Sequence, residues 1–494
     1  MSEEITVSGS VAARRTPERS PRLERMTLRA WGLLLVLCGA LFLEGLDIAM
    51  LNVAVPSIRT DLGLSTGAAH WVISAYVLGY AGFLLLGGRS ADLFGRRRVF
   101  LTALGVFVAF SGIGGLADCG WLVIVARFAT GIAAGFMTPA GLSIVTTSFP
   151  EGPLRDRAVV IYGATGAAGF TLGMVAGGFL TSASWRWVFF APVIFGGLLW
   201  LAGRALIRPD AVREPSPARF DVAGAVTVTG GMVAIVLGIV LLGESRDVVR
   251  GSLALAAAGI LLAAFVTIER RSSAPLIRLG ILRQGSLTTT SIAGLLYMAA
   301  FFGFQFVVTL YLQDLRGWSP FETGLTFAIM GIDLLIAPLV TPFLVRRFGN
   351  AWVMVAGIIS AVAAFGLFLR LEADWTYFDM LPSLVLVGIA FALAYGPLTL
   401  AAAEGVDEAE HGLAGGVLYT AFQFGAALGL ALVTIVLVGG SHGAATPDDY
   451  RVALLVPTAL AVGSAMTVVA AMAARRRRGP DRDLDDAELC CVTA

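Results

Sequence analysis

The stretch Gly87-Gly-Arg-Ser-Ala-Asp-Leu-Phe-Gly-Arg-Arg-Arg98 lies between two long apolar runs, residues 71–86 and residues 99–117. It is too short to form a domain and too charged to lie in a hydrocarbon phase. Its three consecutive arginines are typical of a cytoplasmic loop under the positive-inside rule. The stretch therefore predicts a chain that crosses a membrane on both sides of a short, basic loop.

Two glycines and one aspartate predict the local structure of this loop. Gly88 and Gly95 favour a tight turn, because glycine adopts positive φ at no steric cost. Asp92 can pair with Arg96 or Arg97 and can stabilise the start of a neighbouring helix. We therefore expect a compact, ion-paired turn between two helices.

The composition of the whole chain is that of a membrane protein. Of its 494 residues, 57% are hydrophobic and only 14% are charged, whereas soluble domains have about 45–50% apolar and about 25% charged residues. A formal net charge of +1 argues against a nucleic-acid partner. The four cysteines, Cys38, Cys119, Cys490 and Cys491, show no disulfide or metal-binding spacing.

Fourteen apolar runs are long enough to cross a membrane, since a spanning helix needs about 20 such residues. They lie near residues 31–54, 71–87, 99–117, 121–147, 158–181, 187–207, 221–242, 251–268, 287–312, 321–344, 350–370, 379–402, 412–438 and 452–473, and we number them as spans 1 to 14. The first 28 residues contain no apolar run, so we expect no removable signal peptide. The predicted fold class is an all-α integral membrane protein.

The arginines predict how these spans are oriented. If both termini are cytoplasmic, most of the arginines outside the spans fall on the cytoplasmic side. The external side receives only Arg59, Arg186, Arg246, Arg250, Arg316, Arg370 and Arg451. This bias favours fourteen spans with both termini inside the cell. The acidic loop 404–411 is placed inside only because the spans alternate in direction.

An internal repeat indicates two related halves. Gly95 and Gly349 are 254 residues apart, as are Ser65 and Ser319, and each pair stands in a similar local sequence. Ser319-Pro-Phe-Glu322 also has the pattern of a helix-capping box. We therefore predict two six-helix bundles with two further helices inserted between them. The segments are residues 1–28 (tail), 29–208 (first bundle), 209–283 (inserted spans), 284–474 (second bundle) and 475–494 (tail).

Span 1 contains two acidic residues, Glu44 and Asp47, one helical turn apart and therefore on one face. A charge near the middle of a bilayer costs about 2.5–3.5 kcal/mol on insertion scales. This cost makes a functional role the first hypothesis, and a structural salt bridge is the alternative.

These motifs resemble those of a known transporter family. The pattern G-x-x-x-D-x-x-G-R-R-R at residues 88–98 is similar to the loop 2–3 signature of the major facilitator superfamily. The run Leu46-Asp47…Asn52-Val-Ala-Val-Pro56 resembles span 1 of its fourteen-helix drug:proton antiporters. The resemblance implies that Asp47, with Glu44 nearby, takes part in proton coupling. It implies a gating role for the loop residues Gly88, Asp92, Gly95, Arg96 and Arg97.

Span 4 contains the run from Arg127 to Pro139, which is similar to the family pattern R-x-x-Q-G with a later proline. Thr130 stands where the family has glutamine. Arg127 keeps its charge at physiological pH, so it cannot carry the proton. It can pair with Asp47 and hold that carboxylate ionised.

Span 5 contains a stripe of small residues, Gly169, Gly173, Gly177 and Gly178. Such a stripe lets another helix approach closely. The family's antiporter motif at this place is G-P-x-x-G-G, and Met174 stands here in the position of its proline. Ordinary helix packing would account for the glycines equally well.

The candidate residues for a substrate cavity combine acids with polar and aromatic side chains. Asp333 in span 10 and Glu44 lie at similar predicted depths, so the two carboxylates could face one cavity from opposite halves. An apolar cavity with two carboxylates suits a lipophilic cation. The further candidates are Trp71, Tyr76, Gln313 and Gln423.

These observations predict a transporter that exports hydrophobic drugs or antibiotics in exchange for protons. No phosphate-binding loop and no His/Cys metal cluster occurs in the sequence. We therefore expect no enzymatic activity, no cofactor and no metal. The expected energy source is the proton gradient. The expected partners are a hydrophobic small molecule, either neutral or cationic, protons and the lipid of a bacterial-type cell membrane, without an obligate protein partner. The alternatives are a proton-coupled transporter of a polar metabolite, such as an amino acid or siderophore, and a membrane sensor or scaffold without transport.

Overall fold

The computed structural model describes residues 27–149, 153–209, 221–243, 248–272, 275, 279–283, 286–406, 410–440 and 446–478. Within these residues the chain is helical, and fourteen helices are long and apolar enough to cross a membrane. The predicted number of spans is therefore confirmed. Most of the two predicted tails lies outside the described residues, although the last helix continues to Arg478, beyond the predicted boundary at residue 474.

The helices of the first half and the inserted pair follow the predicted order. Their bounds are Leu28–Asp61 (span 1), Trp71–Phe94 (span 2, preceded by the short helix Thr66–Ala69), Arg96–Gly115 (span 3), Gly120–Ser148 (span 4), Pro153–Ala183 (span 5), Trp187–Leu206 (span 6), Val222–Gly243 (span 7) and Val248–Arg271 (span 8).

The second half begins after a short 3₁₀ helix, Leu279–Arg283. Its bounds are Leu287–Leu310 with a π-helical turn Tyr311–Leu315 (span 9), Pro320–Ala328, Ile329–Ile332, Asp333–Leu339 and Thr341–Phe348 (span 10), Asn350–Phe368 (span 11), Tyr377–Ala403 (span 12), His411–Gly440 (span 13) and Pro447–Arg478 (span 14).

The backbone conformation is alike at the paired positions of the internal repeat. Gly95 and Gly349 have φ of 93° and 85°, and each immediately precedes a helix. Ser65 and Ser319 have the same extended conformation and accept a hydrogen bond from the backbone N–H three residues later. The predicted capping box with Glu322 is also present. The paired positions therefore have the same backbone conformation and the same place at the start of a helix.

The predicted turn at Gly88 is wrong. The helix of span 2 continues through this position to Phe94, and only Gly95 breaks it. Gly88 instead faces span 4, where a Cβ would lie 3.7 Å from the Cβ of Pro139. The side chain of Asp92 lies outside the described residues, so its predicted pairing stays a prediction. Arg97 donates a hydrogen bond to the carbonyl of Arg204 (2.7 Å).

Span 10 is not the single continuous helix that the sequence predicts for residues 321–344. A 3₁₀ turn interrupts it at Ile329–Ile332, and the helix is broken again at Val340. Pro338 and Pro342 flank this second break; proline lacks the N–H that continues a helix. The interruption places Asp333 at the start of a short helix rather than within a regular one.

Close packing between spans 1 and 5 shows their relative direction. Gly173 and Gly177 of span 5 lie against Leu46 and Met50 of span 1, so these two spans run parallel and in register. We call the face at which span 1 begins and span 14 ends the termini face, and the other the opposite face. Span 7 packs against span 2 of the first half and span 13 of the second, so the inserted pair lies along a seam between the halves.

Candidate functional site

A buried ion pair joins spans 1 and 4. Asp47 Oδ2 lies 2.5 Å from Arg127 Nη1. The Asp47 side chain is 0% exposed and the Arg127 side chain is 1% exposed. The Arg127 Nε–H also donates to the carbonyl of Val72 (3.2 Å). Asp47 Oδ1 has no hydrogen-bond partner among the described residues. The predicted pair is therefore present in the structure.

Thr130 occupies the place of the glutamine that the resemblance leads one to expect. Its Oγ1 lies 3.5 Å from Arg127 Nη1 and donates to the Arg127 carbonyl (2.9 Å). Threonine is shorter than glutamine, so its contact with the guanidinium is long. Asp47 therefore provides the short polar contact to this arginine.

Glu44 lies one turn before Asp47 and is 4% exposed. The Thr138 hydroxyl of span 4 donates a hydrogen bond to a Glu44 carboxylate oxygen. Tyr80 of span 2 is a second hydrogen-bonding partner. The Tyr162 hydroxyl of span 5 donates to the carbonyl of Thr138 (3.2 Å). No arginine is among these partners, so the hydrogen bonds described for Glu44 all come from neutral hydroxyl groups.

The second half contains an aromatic cluster, part of which lies within electrostatic range of this acid, and sequence reasoning missed it. The cluster consists of Phe301, Phe391, Tyr395, Tyr419 and Phe422. The Phe391 and Tyr395 rings of span 12 stack with centroids 5.0 Å apart. The Tyr395 ring also contacts the two rings of span 13, with centroid distances of 6.3 Å to Tyr419 and 5.4 Å to Phe422. Tyr395 and Tyr419 lie within electrostatic range of Glu44. A carboxylate and aromatic faces thus line the same region between the halves.

Asp333 is 8% exposed, and its Oδ1 has no hydrogen-bond partner among the described residues. Its electrostatic neighbour is Tyr297 of span 9, in the same half. Gly331, two residues before Asp333, lies against Thr171 of span 5, so this part of span 10 is at the seam between the halves. That Asp333 and Glu44 share a ligand stays a prediction.

The remaining cavity candidates have different surroundings. Tyr76 is fully buried against Arg127. Trp71 is half-buried beside His70, with ring centroids 5.1 Å apart. Gln313 donates to the carbonyl of Val53 (2.9 Å), and Gln423 is half-buried in span 13.

At the opposite face, polar contacts hold the two halves together. Asn52 Nδ2 donates to Gln305 Oε1 (2.8 Å), and both residues are buried. Nearer the surface, Arg59 and Asp314 form an ion pair at 2.9 Å. With the contact of Gln313 to span 1, these bonds link span 1 to span 9 in the half of the membrane away from the termini.

The glycine stripe of span 5 serves two contacts. Gly169, Gly173 and Gly177 pack on span 1, and a Cβ at Gly177 would lie 2.5 Å from the Cα of Met50. Gly178 packs on span 10 instead, where a Cβ would lie 2.5 Å from the carbonyl oxygen of Pro320. The stripe therefore joins helices within one half and also closes the two halves against each other.

Removing the charge of Asp314 is expected to loosen this closure. Asp314→Asn weakens a half-buried pair worth about 1 kcal/mol, so the population open at the opposite face should rise about fivefold. Distances between spin labels at Thr60 and Asp374, on different halves at that face, would show the change. Asp448→Asn is the control, because its pair with Arg451 lies within span 14. An unchanged distance distribution in Asp314→Asn would show that the pair does not hold the face closed.

Comparisons with known proteins agree with this architecture. The family profile described as Major Facilitator Superfamily matches residues 37–430. The chain belongs to the major facilitator superfamily. It is a multi-pass membrane protein of this family, and the resemblance noted from its motifs is confirmed.

Named relatives match most of this chain and most of their own lengths. The puromycin resistance protein of Streptomyces alboniger is 34% identical over 457 residues, which cover 88% of this chain and 89% of that protein. The cephamycin export protein of Amycolatopsis lactamdurans is 36% identical over 421 residues, which cover 83% and 85%. The crystal structure of an auto-inhibited POT family peptide transporter has a TM-score of 0.65 at 17% identity and covers 90% of this chain and 97% of its own. This structural likeness concerns the fold alone.

Proposed function

We propose that this transporter exports hydrophobic small molecules, antibiotics among them, in exchange for protons. The buried Asp47–Arg127 pair carries this proposal, because an ionisable pair in a membrane span is costly and marks a functional pathway. The names of the two relatives, which concern puromycin resistance and cephamycin export, support the class of substrate.

Proton binding and pair formation compete at Asp47. When Asp47 is ionised it holds Arg127, and when it is protonated the ionic part of that contact is lost. Coupling arises because a ligand that binds one of these states better shifts the population toward it. The closed opposite face of the structure corresponds to the state that takes up substrate from the termini side. Both termini are then cytoplasmic, in keeping with the arginines at positions 96–98 and 475–478.

The substrate site in this proposal lies between Glu44 and the aromatic cluster. A carboxylate held by neutral hydroxyl groups attracts a cation, and aromatic faces stabilise it further. The preferred substrates are therefore lipophilic and positively charged. An amino acid or siderophore would require more hydrogen-bonding groups than this aromatic wall offers. The activity is transport rather than catalysis, with the proton gradient as the energy source and no cofactor.

Glu44→Gln tests this site. The amide can still accept the Thr138 hydroxyl bond but lacks the charge, so we expect resistance of expressing cells to lipophilic cations to fall about tenfold. Resistance to neutral hydrophobic compounds should change less than about twofold, since aromatic contacts remain. Growth inhibition across both compound sets measures this, with the exposed Glu322→Gln as the matched control. Equal losses for charged and neutral compounds would contradict a charge-selective site.

A further inference from the structure

Arg127 makes a contact that neither the ion pair nor the substrate site explains. The centre of its guanidinium lies 4.3 Å from the centroid of the Tyr76 ring. Both side chains are buried, at 1% and 0% exposure. A cation over an aromatic face is stabilised by the ring quadrupole, and more strongly so when water is excluded.

The ring of Tyr76, rather than its hydroxyl group, makes this contact. The Tyr76 hydroxyl is buried and has no hydrogen-bond partner among the described residues. A buried hydroxyl without a partner normally costs stability. The Tyr76 side chain therefore contacts Arg127 through the face of its ring, and phenylalanine could replace it.

The backbone holds the ring in place. Gly131, one turn after Arg127, packs directly on the backbone carbonyl of Tyr76. Gly79, one turn after Tyr76, likewise packs on span 4 near Phe128. Spans 2 and 4 are thus in close contact at Tyr76 and one turn beyond it, so the backbone that carries the ring is fixed relative to span 4.

We propose that Tyr76 is a positioning residue that retains Arg127 when Asp47 is protonated. This inference rests on the proposed proton coupling. In the ionised state the guanidinium is neutralised by Asp47. In the protonated state that ion pair is lost, and the described contacts that remain are the Tyr76 ring, the Val72 carbonyl and Thr130. Glu44, one turn before Asp47 on span 1, is the other acid within electrostatic range of Tyr76. The ring therefore stabilises the protonated state more than the ionised one, and it keeps Arg127 in position to pair again after the proton leaves.

A double-mutant cycle tests this in purified protein without any transport assay, with Asp47→Asn imitating the protonated acid. Tyr76→Leu should lower the melting temperature about 3 °C more in the Asp47→Asn background than in the wild-type background. Tyr76→Phe should be nearly neutral in both backgrounds. Phe107→Leu, which removes a buried ring from span 3, should cost the same in both. Equal costs of Tyr76→Leu in the two backgrounds would overturn the proposal.

A second series covers the case in which Tyr76→Leu does not fold. Phenylalanines with an increasing number of ring fluorines at position 76 keep the packing but weaken the negative face of the ring. In the Asp47→Asn background the melting temperature should fall with each fluorine, whereas in the wild-type background it should change much less. Parallel trends in the two backgrounds would show that Tyr76 only fills space. Both experiments measure the melting temperature of purified protein, so a negative result in either can be told apart from a failure of the transport proposal.

Discussion

Arg127→Leu is expected to lower the free energy of unfolding by about 3–5 kcal/mol, because it leaves Asp47 as a fully buried carboxylate without its partner. We expect proton-coupled exchange to be lost as well, since Asp47 then has no cation with which to pair when the proton leaves. Thermal unfolding in detergent and exchange in vesicles measure the two effects.

The matched control for Arg127→Leu is Arg59→Leu. Arg59 also pairs with an aspartate across two helices, but its side chain is 22% exposed. A pair that water screens contributes about 1 kcal/mol or less, so Arg59→Leu should reduce stability several-fold less than Arg127→Leu. Similar losses from the two substitutions would show that burial of the Asp47–Arg127 pair is not what makes it important.

Gly177→Val should abolish transport and severely reduce the yield of folded protein. Its Cβ would lie 2.5 Å from the Cα of Met50, and a backbone atom cannot move aside as a flexible side chain can. Spans 1 and 5 would have to separate, which displaces Asp47 on span 1 relative to Arg127 on span 4. Overpacking of this kind costs about 1–3 kcal/mol or more.

Gly163→Val is the control within the same helix. Gly163 also lies in span 5, but a Cβ there would meet no atom within 4 Å. We expect near-normal yield and exchange from this variant. If Gly163→Val were as damaging as Gly177→Val, the cause would be valine in the helix itself rather than contact with span 1.

Sequence reasoning succeeds here where a residue contrasts with its surroundings. Asp47 and Arg127 stand out because charged groups are rare in apolar runs, and each is the kind of partner that the other requires. Gly95 and Gly349 stand out because the same 254 residues separate them as separate Ser65 and Ser319. Both glycines have a positive φ, which glycine adopts readily.

The aromatic cluster carried no comparable signal. Phe391 and Tyr395 are four residues apart on one helix face, but phenylalanine and tyrosine are ordinary residues of a membrane span. Only the packing of spans 9, 12 and 13 brings the rings of the cluster together. The breaks in span 10 were missed for a similar reason, since proline is tolerated in membrane helices and does not by itself mark where a helix is interrupted.

Gln305 was missed because a single amide in an apolar span carries no periodic signal. Its role depends on Asn52 of the other half, 2.8 Å away, and on Met174, whose sulfur accepts a hydrogen bond from Gln305 Nε2 at 3.6 Å. Three spans meet at this residue, and no local pattern specifies that meeting.

Substrate-driven proton movement in inverted vesicles tests the central claim most directly. Vesicles that contain the wild-type protein or Asp47→Asn are given a pH gradient and then a panel of lipophilic dyes and antibiotics. The account predicts that substrates collapse the gradient with the wild-type protein, and that Asp47→Asn slows this about 100-fold because its amide cannot carry the proton. Equal collapse of the gradient by Asp47→Asn and the wild-type protein would contradict the assignment of proton coupling to the Asp47–Arg127 pair.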